Sequence, residues 1–101
     1  MSDMYVLDGK VPVRCDDTTT WGKTYANNTK RRVARDELGD VSVSTMFLGL
    51  DHSFGDGPPQ LFETMVFGGP LDGEMERCST WSEAELQHME MCMRVVKEAA
   101  K

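Results

Sequence analysis

A chain of 101 residues, 40% hydrophobic and 28% charged, is long enough for one domain with one core and ordinary enough in composition to be globular. Its formal charge of −6 lies wholly in the second half: residues 1–50 carry seven acids and seven bases, residues 51–101 ten acids and four bases. That balance argues against nucleic-acid binding, which needs a surplus of Lys and Arg, and no apolar run approaches the roughly 18 residues of a membrane span. The opening MSDMYVLDGK has no basic flank and no apolar core, so no signal peptide is expected and the cytoplasm is the expected location. Cys15, Cys78 and Cys92 form no CxxC or other metal spacing and read as free, core-filling thiols.

In chain order, Met4–Leu7 and Val11–Val13 predict a hairpin turning on Asp8-Gly9, with Pro12 confining its strand to an edge. Asp16 or Asp17 caps a short helix running to about Asn27, with Trp21 and Tyr25 four residues apart on one face. Lys30-Arg31-Arg32 begins a third extended segment that ends in the turn Leu38-Gly39-Asp40. The two most apolar segments follow, Val41–Leu50 and Leu61–Phe67. Both carry apolar residues at odd and even positions, which predicts central strands covered on both sides. After the turns at Gly68-Gly69-Pro70 and Leu71-Asp72-Gly73, Glu74–Ser79 reads as a last strand.

Thr80-Trp81-Ser82-Glu83 matches a capping box and opens the strongest helix of the chain, to about Ala100. Leu86, Met89, Met93, Val96 and Ala100 follow the helical spacing and are expected to pack on the sheet. Ala84, His88, Met91 and Val95 form a second stripe. That stripe is expected to face another neighbour, such as a second copy of the chain in a homodimer through His88, Met91 and Val95. The fold class is α+β: an antiparallel meander of about four strands plus an N-terminal hairpin, a short helix after that hairpin, and a long C-terminal helix on one face. One domain spans residues 1–101.

Chemistry concentrates in the loop Asp51–Pro59. Asp51, His52, Asp56 and, on the returning strand, Glu63 offer one imidazole and three carboxylates, a set suited to a divalent ion or to a general base. Such a set supports a small metal- or nucleotide-dependent enzyme as one reading. Against it, neighbouring strand residues point to opposite faces, so Asp51 and His52 converge only through a bend. Gly55-Asp56-Gly57 lacks the Lys-Ser/Thr of a phosphate loop and no nucleophile elbow is present, so no catalytic residue, metal or cofactor is assigned. Phe54 is expected to pin the loop to the sheet. Arg31, Arg32 and Arg35 form the one basic cluster, which supports a weaker nucleic-acid reading. Asp72, Glu74, Glu76, Glu83 and Glu85 support mimicry of DNA only if they stand in a line.

The run Ser44–Gly69, STMFLGLDHSFGDGPPQLFETMVFGG, resembles small uncharacterised proteins encoded by tailed phages and by prophage regions of bacteria. The resemblance implies a setting, an accessory protein in the bacterial cytoplasm, and no mechanism. Taken together, the residues favour a non-enzymatic binding module acting on a host protein over an enzyme. Asp51, His52, Phe54, Asp56, Glu63, His88, Met91 and Val95 are its candidate contact residues.

Overall fold

The computed structural model describes residues 3–53 and 56–101, and its architecture is α+β. The elements are β1 (Tyr5–Asp8), β2 (Val11–Arg14), α1 (Thr18–Ala26), α2 (Asn28–Arg31), β3 (Arg32–Leu38), β4 (Val41–Phe47), β5 (Phe62–Phe67), β6 (Met75–Cys78) and α3 (Trp81–Ala99). β1 and β2 pair as a hairpin, and β3 to β6 form an antiparallel meander in sequence order.

The N-terminal part differs from expectation in two places. Asp8 pairs with Val11, so the hairpin turns on Gly9 and Lys10, one residue later than the Asp8-Gly9 turn. Lys30 and Arg31 belong to the helical turn α2 rather than to a strand, because Asn27 accepts the Lys30 N–H and starts a new turn there. Asp17 caps α1 as expected, and Trp21 stacks on Tyr25 at 4.7 Å.

Gly49, just past β4, ties this region to the main sheet. Its carbonyl accepts the Tyr5 N–H at 2.8 Å and the Trp21 Nε1–H at 2.9 Å. Its φ of +80° favours glycine, and a Cβ there would crowd Trp21 Nε1 at 3.3 Å.

In the main sheet Val43 pairs with Val66, Thr45 with Thr64 and Phe47 with Phe62. All six side chains point to the face that α3 covers and are at most 1% exposed. They build two apolar clusters. Val41, Val43, Val66, Met91 and Val95 form one; Phe47, Leu61, Phe62 and Ala84 form the other, with Tyr5, Leu7 and Trp81 packed against it. The Thr45–Thr64 pair lies between them. The expected capping box is present, with Glu83 N–H donating to Thr80 Oγ1 and Thr80 N–H to Glu83.

α3 packs with the opposite stripe from the one expected. Ala84, His88, Met91 and Val95 are buried, whereas Leu86, Met89, Met93 and Val96 are 54, 56, 65 and 56% exposed. The reason lies in fit: Ala84 lets the helix approach Phe62 closely, and His88 with its neighbour Gln87 answers the buried threonine hydroxyls. His88, Met91 and Val95 are therefore core residues and are withdrawn as an interface.

The sheet's other face also departs from expectation, since β4 and β5 are central but α3 covers only one side. By strand alternation the second side carries Ser42, Ser44, Met46, Glu63, Met65, Phe67 and Met75, of which Phe67 is 51% and Met75 40% exposed.

Candidate functional site

The loop after β4 is closed by its own aspartate. Asp51 Oδ1 accepts the Ser53 N–H at 2.8 Å and the Gln60 N–H at 2.9 Å, while the His52 N–H donates to the Gln60 carbonyl at 3.1 Å. The Ser53 N–H, helped by the Ser53 hydroxyl and the Gln60 N–H, holds the Asp51 carboxyl below its ordinary 3.8, against a burial effect of opposite sign. Asp51 thus works as a turn-forming side chain that fixes the loop's neck.

The other residues named for this loop do not join it. His52 and Asp56 are exposed, and Glu63 lies on the sheet's uncovered face, where it accepts from Arg77 Nε at 3.0 Å. Among the described residues no trio of metal-ligating groups includes Asp51, His52, Asp56 or Glu63. The four therefore do not converge: Asp51 turns in to close the loop, His52 and Asp56 face outward, and Glu63 lies on the sheet. Phe54 lies outside the described residues.

The constellation that does converge is one the sequence did not single out, apart from His88. His88 Nε2 is 2.8 Å from Asp36 Oδ2 on β3, and its Nδ1 is 2.7 Å from Thr45 Oγ1 on β4. Thr45 Oγ1 is 2.7 Å from Thr64 Oγ1 on β5, which accepts Gln87 Nε2 at 2.9 Å. One strand residue from each of β3, β4 and β5 is thereby tied to α3.

The proton count gives this chain a direction. Gln87 Nε2 also donates to the Glu76 carbonyl at 3.0 Å, which can only accept, so the amide nitrogen is the atom facing Thr64. Asp36 at the far end is a carboxylate that only accepts. Three links lie between these ends, and three protons are available: one on Thr64, one on Thr45 and one on neutral His88. Every link is satisfied when Thr64 donates to Thr45, Thr45 to His88 Nδ1, and His88 Nε2–H to Asp36. With the proton on Nδ1 instead, Thr64 O–H is stranded and Nε2 turns a lone pair on the carboxylate.

That direction decides what the site can do. Asp36, His88 and Thr45 are ordered like an acid, a base and a nucleophile, yet Thr45 is 0% exposed, so no substrate carbonyl reaches its hydroxyl. Asp36, His88 and Cys92 also bring three ligand atoms within 4.8 Å of one another, an N/S/O set of the kind zinc accepts. A metal on Nε2 requires the proton on Nδ1 and reverses the relay. Burial, and then the Asp36 carboxylate, push the Cys92 thiol up and away from the thiolate a metal needs. The cluster is therefore a structural pin, in which polar groups buried by α3 satisfy one another.

The remaining candidates are likewise occupied. Arg31 is 9% exposed; its Nε donates to the Phe47 carbonyl and its Nη1 to the Tyr25 carbonyl, both at 2.9 Å, and its guanidinium lies 4.1 Å from the Tyr25 ring centroid. It fastens α1 and α2 to β4 and is not offered to a phosphate. Arg35 pairs with Glu37 at 3.0 Å, which leaves Arg32 as the exposed remnant of the basic cluster. The acidic row is also dispersed: Asp72 accepts the Gly68 N–H, Glu74 and Glu76 meet Arg94, and Glu83 caps α3. Burial, then the charge of Glu83, push the Cys78 thiol up to about 11, far from the range of a reactive cysteine.

No family model, no curated protein and no solved structure matches this chain. No helix among the described residues is long and apolar enough to cross a membrane.

Proposed function

We propose that the protein is a non-enzymatic binding module, and that the uncovered face of its main sheet is the surface that meets a partner protein. The resemblance of Ser44–Gly69 to phage-encoded proteins suggests the setting, a small accessory factor in the bacterial cytoplasm acting on a host protein. That step is analogy and gives the partner's source, not its identity.

One observation carries the reading. Met46, Met65, Phe67 and Met75 stand beside Arg32, Arg35 and Arg77 on a face that α3 does not cover, where Glu37 and Glu63 pair with Arg35 and Arg77. Methionine, aromatic and arginine side chains are the types enriched where proteins meet. The polar groups that would serve chemistry are closed off or spent on folding, which counts against the enzyme reading.

Capture from bacterial lysate tests it, with wild type compared against Phe67→Asp/Met75→Asp and His52→Ala/Asp56→Ala. Both variants alter exposed positions, and equal melting temperatures verify that they fold. The expected result is one stoichiometric host protein retained by wild type and by the loop variant, and lost by the sheet variant. Retention by the sheet variant with loss in the loop variant would move the surface to residues 51–59.

A further inference from the structure

We infer that the chain forms a homodimer in which the outer stripe of α3 packs antiparallel against the same stripe of a second copy. This surface is on the other side of the domain from the sheet face discussed above, so the two readings stand or fall separately. Leu86, Met89, Met93 and Val96 are spaced three, four and three residues apart, the alternation that makes a two-helix seam, and each is more than half exposed. At about 100° per residue this stripe lies roughly 140° round the helix from the buried one. A second helix therefore reaches it without meeting the sheet. An open groove of about 610 Å³, lined by Glu90, Met93, Arg94, Val96 and Lys97, gives a knob from the second copy a place to enter.

Self-complementarity identifies the occupant and its direction. With a two-fold axis beside Met91, Leu86 meets Val96 of the second copy and Met89 meets Met93 of the second copy, each contact twice over. Glu83, Glu90 and Lys97 follow one another at intervals of seven along one flank of the stripe. An antiparallel partner then sets Glu83 against Lys97 twice, at the cost of one Glu90–Glu90 approach at the axis. A parallel partner sets Glu85 near Glu90 twice and offers no opposite pair in exchange. Among the described residues Lys97 has no ion-pair partner of its own, and Glu83, whose Oε1 is held in the cap of α3, meets it through Oε2. With both helices back to back, the two uncovered sheet faces point outwards, and the dimer would present its contact surface twice.

Sedimentation equilibrium on the full chain tests this at micromolar concentrations. Wild type is expected to weigh two chains and Met89→Glu/Met93→Glu one, with a native circular-dichroism spectrum and a melting temperature that no longer rises with protein concentration. Should that variant fail to fold, two single changes of charge give an independent answer. Lys97→Glu turns two attractions into two repulsions and is expected to weaken the dimer by about tenfold or more, whereas Glu90→Gln relieves the axis and is expected to tighten it severalfold. A monomeric wild type overturns the inference, as does a dimer that neither charge change affects. A monomer that still captures a host protein overturns it and leaves the proposed function intact.

Discussion

The inner and outer stripes of α3 are alike in sequence and opposite in role. Each has helical spacing, and each includes at least one methionine and one valine. The outer stripe, with Leu86 and two methionines, is the bulkier, yet the fold buries Ala84, His88, Met91 and Val95. Apolar volume did not decide which stripe meets the sheet; complementarity to Thr45 and Thr64 did. Two paired hydroxyls are left with one proton to donate, and His88, whose Nδ1 accepts it, is the one residue on either stripe with a ring nitrogen to take it.

Substitution at adjacent turns of the helix is the strongest way to break that contrast. Met91→Ala removes a fully buried side chain from the first cluster and is expected to cost about 2–5 kcal/mol, against within about 0.5 kcal/mol for Met93→Ala, measured by urea denaturation in protein dilute enough to be monomeric. Similar losses for the two would contradict the assignment of faces. Thr45→Val sharpens the inner side. It keeps the volume but leaves His88 Nδ1 and the proton of the Thr64 hydroxyl unpaired, for an expected loss of about 1–3 kcal/mol. A neutral or stabilising Thr45→Val would mean that the relay is dispensable.

The loop neck extends the comparison to a polar group nearer to solvent. Asp51→Ala loses two backbone N–H bonds to a carboxylate and is expected to cost about 1–2 kcal/mol at neutral pH. Because the folded-state carboxyl sits below its ordinary 3.8, that contribution is present above this value and is lost as the pH falls through the lower, folded one. Wild type and variant should therefore converge in acid, and a gap that stays constant below pH 3.8 would contradict the assigned hydrogen bonds. The smallest effect is expected from zinc: with His88 Nε2 donating to Asp36, the metal should leave the melting temperature unchanged. A rise of several degrees that His88→Gln abolishes would show that the relay reverses.

Much of the fold was legible in local signals. The Thr80–Glu83 capping box, the cap at Asp16 or Asp17 and the turns at Gly39 and Gly73 each report an interaction between near neighbours in sequence. Arg31 was misread because a run of three bases looks solvated, while its burial depends on carbonyls of Tyr25 and Phe47 that only the tertiary fold supplies. The pin was half visible. Thr45 and Thr64 sit at period two among Val43, Phe47, Phe62 and Val66, so a polar pair on a buried face could be read from the strands. That His88 and Asp36 would meet them could not, since sequence separations of 43 and 52 residues leave no local trace. The Asp51–His52 pair was conspicuous for the opposite reason: adjacent functional-looking residues draw notice even where one closes a loop and the other faces solvent.

Met89, Met91 and Met93 lie within five residues of one helix and belong to different faces, so limited oxidation by peroxide followed by peptide mass spectrometry tests the central claim most directly. In dilute protein Met89 and Met93 are expected to become sulfoxides rapidly while Met91 stays protected until the domain unfolds. Oxidation of Met91 at the rate of Met93 under native conditions would contradict the account.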